Sequence, residues 1–147
     1  MARYKEAAIG SLPPHVFGVA AAAYTGLLSA RSQSIVISGE SGAGKSETAK
    51  KVLKHLAYCA SKSVEGEEGI EKRILASSPV LEAFGNAKTS MNNNSSRYGK
   101  FLMLEFDKQG QLSGANIKTY RNGPYACNFA SDQPVSSFHW AITILSV

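Results

Sequence analysis

The sequence predicts an α/β fold in which helices pack on a partly parallel sheet that ends in an antiparallel hairpin. Three observations carry that expectation. A β-branched run, Ile35-Val36-Ile37, leads through a glycine-rich loop into a helical pattern. Apolar residues recur at helical spacing before and after that unit. Two strand-like segments, 101–106 and 112–120, flank the turn Asp107-Lys108-Gln109-Gly110.

At 147 residues the chain suits one domain. Its 44% hydrophobic and 18% charged residues are ordinary for a folded protein and exclude wholesale disorder, collagen-like repeats and a disulfide scaffold. Cys59 and Cys127 form no CxxC pair or metal-ligand cluster, so reduced, cytosolic thiols are expected. No run of ~18 apolar residues is present, so no membrane span is expected. Pro13 and Pro14 precede any long apolar run, and no signal peptide is read. The net charge of +5 suits an anionic partner such as a nucleotide and equally serves solubility. No nucleic-acid partner is expected.

Residues 1–13 are polar and mixed. Pro14 opens a helical pattern in which Phe17, Ala20, Ala21, Tyr24, Leu27 and Leu28 share one face. His15, after the diproline, reads as structural. Ile35 to Ile37 reads as a strand buried on both faces, as central parallel strands are. After the glycine loop, Ala49, Val52, Leu53, Leu56, Ala57 and Ala60 share a second helical face, with Lys50, Lys51 and Lys54 on its exposed side. Residues 61–69 are acidic and polar, a surface loop. A helix is expected from Glu71 to Ser77 and a new one from Pro79, with Ser78 as its cap and Gly85 as its stop. Residues 88–99 are polar and hold three consecutive asparagines. Residues 121–147 carry only Arg121 and Asp132 as charges and are expected to be irregular. Within them, Trp140, Ile142, Ile144 and Leu145 read either as a strand or as an exposed apolar tail.

The chemistry concentrates in Gly39-Glu40-Ser41-Gly42-Ala43-Gly44-Lys45-Ser46, which matches G-x-x-x-x-G-K-[ST] at every fixed position. Glycines let backbone N–H groups turn inward around a phosphate, and the following helix adds the positive end of its dipole. Lys45 supplies a cation for the β- and γ-phosphates, and Ser46 a hydroxyl for Mg²⁺. Further on, Asn92-Asn93-Asn94-Ser95-Ser96-Arg97 gathers amides, hydroxyls and one cation. Such a loop can contact a γ-phosphate and respond to its loss; alone, it reads rather as a solvated asparagine-rich loop.

Taken together, these segments resemble the myosin motor domain. The matching stretches are LPPHVF (12–17), AAAY (21–24), SQSIVISGESGAGKSETAK (32–50), SSPVLEAFGNAKT (77–89), NNNSSRYGKF (92–101) and FLMLEFDKQGQLSGANIKTY (101–120). The resemblance covers residues 3–120 and divides the chain into 1–120, a partial motor domain, and 121–147, a tail unlike the family. It implies an incomplete P-loop NTPase core that binds ATP and Mg²⁺. Gly39, Glu40, Ser41, Gly42, Ala43, Gly44, Lys45, Ser46, Glu47 and Asn92 are implied as nucleotide-binding. Ser46 and Ser96 are implied as Mg²⁺ ligands; Ser46 stands where the family usually has threonine. Lys45, Asn92, Ser95 and Arg97 are implied as catalytic, with Ser95 relaying a proton from the attacking water. Arg97 pairs, in the family, with a glutamate of switch II. Residues 101–120 match two strands of the transducer sheet.

The resemblance further implies actin filaments as partner and a cytoplasmic, cytoskeleton-associated location. The adenine loop, switch II and the actin-binding regions find no counterpart here. The chain is therefore expected to be a truncated motor, inactive and poorly soluble alone, because the neighbours of strand 35–37 would come from elsewhere. Nucleotide binding without turnover, a non-functional product, and another P-loop NTPase such as a kinesin-like protein stay open.

Overall fold

Ten elements follow one another along the chain in a computed structural model, which describes residues 1–5, 10–60, 70–120 and 140–146. They are α1 (Ala2–Lys5), α2 (Val16–Leu28), β1 (Gln33–Ile37), α3 (Lys45–Ala60), α4 (Ile70–Gly85), β2 (Asn86–Ala87), β3 (Ser95–Ser96), β4 (Gly99–Phe106), β5 (Leu112–Tyr120) and β6 (Trp140–Ser146). The main sheet has the order β1-β6-β4-β5. β1 runs parallel to β6, whereas β4 is antiparallel to both β6 and β5. β2 and β3 form a separate two-stranded ladder. The architecture is thus α/β with a mixed sheet and the expected β4–β5 hairpin.

Period-2 alternation builds the sheet side of the core. Leu102, Leu104 and Phe106 of β4, Ile142 and Ile144 of β6 and Ile35 of β1 are buried together. Against them α2 sets Ala20, Ala23 and Leu27, and α3 sets Val52, Leu53, Leu56 and Ala60. Ile74 and Leu75 of α4 join the margin. His15 caps α2: its Nδ1 accepts the Phe17 N–H at 3.1 Å, which satisfies a free helix donor.

Three expectations change. Strand 35–37 is not covered on both faces: Ile35 is 8% exposed but Val36 is 66% exposed. Alternation sends Ile35 and Val36 to opposite faces, and among the described residues the core helices cover only the Ile35 face; β1 also ends the strand order. The helix of residues 70–85 also runs on through Pro79 rather than restarting there. Proline removes one backbone donor, yet the turn before it keeps an added bond, Ser77 Oγ to the Ile74 carbonyl at 2.7 Å, and Ser78 is buried. Finally, within the segment expected to be irregular as a whole, residues 140–146 form a strand between β1 and β4, the first of the two readings of Trp140 to Leu145. Residues 61–69 and 121–139 lie outside the described residues.

Candidate functional site

β1 ends at Ile37 and α3 begins at Lys45, so the glycine loop is a strand-to-helix connection. Gly42 and Gly44 adopt φ of +84° and +85°, in the left-handed region that favours glycine. These turns face the loop's amides toward the start of α3, whose first-turn N–H groups carry no intrahelical partner. Lys45 curls back over the loop, and its Nζ donates to the carbonyls of Gly39 and Glu40, the latter at 3.0 Å. The ammonium is therefore held above the cradle.

The asparagine-rich loop is brought to the same place from 54 positions away: Ser41 Oγ and Ser95 Oγ lie 3.1 Å apart. Ser95 is 2% exposed, and Arg97 Nη1 donates to its hydroxyl at 3.4 Å. The loop is shaped internally by Thr89 N–H on the Asn92 carbonyl at 2.9 Å and by Asn94 N–H on Asn92 Oδ1 at 3.0 Å. The β2–β3 ladder pairs Asn86 with Ser96 and Ala87 with Ser95, which ties the loop to the end of α4.

Between these loops lies a cavity of about 520 Å³, within the ~300–1,000 Å³ usual for small-molecule sites. Ser41, Gly42, Ala43, Gly44, Lys45, Ser46, Glu47, Asn92, Ser95, Ser96 and Arg97 all line it. Gly39 and Glu40 do not; their carbonyls hold Lys45 instead. Glu47 is held by Lys50 at 2.8 Å, and that hydrogen bond keeps its carboxyl below the usual range. The same bond raises the pKa of Lys50, which also reaches Glu82 of α4 at 3.7 Å. Lys51 and Lys54 are exposed.

The deeper wall brings in residues that carried no sequence motif: Glu82, Asn86, Tyr98 and Lys100. Burial pushes the Lys100 ammonium down and the Tyr98 hydroxyl up. The strand read from the sequence begins at Phe101, whereas β4 begins at Gly99 and so carries Lys100 into the cavity lining.

The donor set fits the phosphates of a nucleotide. Lys45, the glycine-loop backbone and five serines, Ser41, Ser46, Ser78, Ser95 and Ser96, line the cavity, and the nearby carboxylates Glu47 and Glu82 are matched by Lys50. Among the described residues no group of three His, Cys, Asp or Glu side chains is placed to hold a metal. A hard cation here would be held by hydroxyls, such as those of Ser46 and Ser96, together with phosphate oxygens and water.

A strand, a glycine loop and a helix, faced by a second polar loop across a cavity, define a phosphate-loop nucleotide-binding protein of the α/β class. The family model of the myosin head (motor domain) matches residues 1–121, and the chain belongs to that family. Among its relatives are Myosin-13 of Arabidopsis thaliana, 56% identical over 121 residues, and Myosin-9 and Myosin-11 of the same plant, each 54% identical over 121 residues. Each match covers 82% of this chain but 8% of the relative, so the chain spans a small part of their length.

Proposed function

We propose that this chain is the phosphate-binding portion of an actin-based motor and holds Mg·ATP between the glycine loop and the 92–97 loop. The contact that carries the reading is Ser41 Oγ to Ser95 Oγ at 3.1 Å, which joins the two sequence motifs around one cavity. Gly42 to Gly44 and the first turn of α3 receive phosphate oxygens through backbone N–H groups. Lys45 releases the Gly39 and Glu40 carbonyls and takes the β- and γ-phosphates. Ser46 and Ser96 offer hydroxyls to Mg²⁺, whose role when bound is to neutralise phosphate charge. Asn92 contributes to the phosphate contacts, and Ser95, whose hydroxyl meets Ser41 and Arg97, relays a proton from the water that attacks the γ-phosphate.

Binding without actin-stimulated turnover is the reading for this chain by itself. Among the described residues no carboxylate pairs with Arg97, so the ion pair the family uses to close over the γ-phosphate is not made. Actin association and a cytoskeletal location follow from the family and belong to the whole motor.

The test is equilibrium binding of a fluorescent ATP analogue to the full chain. Saturable binding is expected, with Lys45→Ala weakening it ~10–100-fold, the equivalent of a charged contact worth ~1.5–3 kcal/mol. Equal affinity in the variant would remove Lys45 from the site.

A further inference from the structure

We propose that the corner ending α4 positions the 92–97 loop, with the Tyr98 ring seated on Gly85 as the contact that fixes it. The inference rests on the nucleotide reading above and adds positioning residues to it. Gly85 lies outside the cavity lining, whereas the loop it supports lies within. Its backbone does not need glycine, because its φ is not in the left-handed region. Space is what requires it. A Cβ on Gly85 would lie 2.3 Å from Tyr98 Cε1 and 2.4 Å from Cδ1, far inside contact distance.

Hydrogen bonds from the residues before Tyr98 lead to the same corner. The Arg97 N–H donates to the Gly85 carbonyl at 2.9 Å. Asn86 Nδ2 donates to Asn94 Oδ1 at 2.9 Å and to the Asn94 carbonyl at 3.4 Å. Asn86 pairs with Ser96 and Ala87 with Ser95 in the β2–β3 ladder. Four consecutive loop residues before Tyr98 are thus referenced to one helix end. Tyr98 is covalently next to Arg97, so a ring displaced from Gly85 pulls on Arg97, Ser96 and Ser95 in turn. The glycine loop meets these contacts through Ser41 Oγ on Ser95 Oγ at 3.1 Å, while its own turns are set by the left-handed Gly42 and Gly44.

Gly85→Ala, Tyr98→Leu and the double variant Gly85→Ala/Tyr98→Leu separate the outcomes. Each full-length chain is titrated with a fluorescent ATP analogue with and without Mg²⁺, and its fold is checked by far-UV circular dichroism. Gly85→Ala is expected to bind the analogue without Mg²⁺ as the unaltered chain does, but to need ~10–100-fold more Mg²⁺ for the metal-dependent gain, the usual loss when support behind a metal ligand goes. The double variant, in which the new methyl group fills the space that the shortened side chain leaves and so restores contact at the corner, is expected to recover most of that gain. An unchanged Mg²⁺ requirement in Gly85→Ala, or a double variant no better than the single one, would overturn the proposal. Should Gly85→Ala not fold, Tyr98→Leu alone carries the test, with a raised Mg²⁺ requirement expected and an unchanged one contradicting the seat. Absence of binding by the unaltered chain would instead overturn the nucleotide reading, and this inference with it.

Discussion

Ala30 follows the C-cap of α2 with φ of +60°, a left-handed conformation that costs an alanine about 1 kcal/mol relative to glycine. Ala30→Gly is therefore expected to stabilise the chain by up to ~1 kcal/mol, read as a higher urea midpoint at unchanged slope. His55 has the opposite character. It is fully buried on α3, its ring stacks on Phe17 at 4.8 Å and 11°, and neither ring nitrogen has a hydrogen-bond partner among the described residues. Burial first, then the positive charges of the N-terminal amine, His15 and Lys5, hold its pKa below 6.5. The unfolded chain thus takes up a proton that the folded chain refuses. Stability is full above about pH 6.5 and falls as pH drops toward and through the lowered pKa. Unfolding curves from pH 7.5 to 5 should show that decline, and His55→Phe, which keeps a ring against Phe17, should flatten it. A decline of equal size in the variant would assign it elsewhere. The apolar face of α3 was legible from its spacing, but a histidine between apolar neighbours gave no sign that it packs as an aromatic.

At the scale of elements, β6 decides the sheet. Ile142 and Ile144 are 0% and 2% exposed, and the strand pairs with β1 on one side and β4 on the other. The neighbour expected to be missing beside strand 35–37 is thus supplied from the chain's own residues 140–146. Ile142→Ala is predicted to cost ~2–5 kcal/mol, as for a buried aliphatic side chain left with a cavity, and a midpoint close to that of the unaltered chain would show that β6 is not in the sheet. The alternation of Ile142 and Ile144 was visible in the sequence. What it did not reveal was a place for them, because strand pairing across the whole chain has no local signature. α4 shows the converse. Pro79 is a strong local breaker, and packing of Ile74, Leu75 and Ser78 beneath α3 and the hairpin outweighs it. The glycine loop and the hairpin needed no such tertiary help, since left-handed glycines and a four-residue turn act through the backbone alone.

The whole molecule joins a family segment, residues 1–121, to a strand from beyond it. Both loops of the site were readable as motifs, whereas their meeting through Ser41 and Ser95 involves the end of α4 and the pairing of β2 with β3, which the motifs did not reveal. The central claim is that the two loops form one nucleotide site. Amide NMR spectra of the full chain, recorded as Mg·ATP is added, test it most directly. The account predicts that the signals of Gly42, Gly44, Lys45 and Ser46 shift along one saturation curve with those of Ser95, Ser96 and Arg97. Shifts confined to one loop, or two groups of signals saturating at different concentrations, would contradict it.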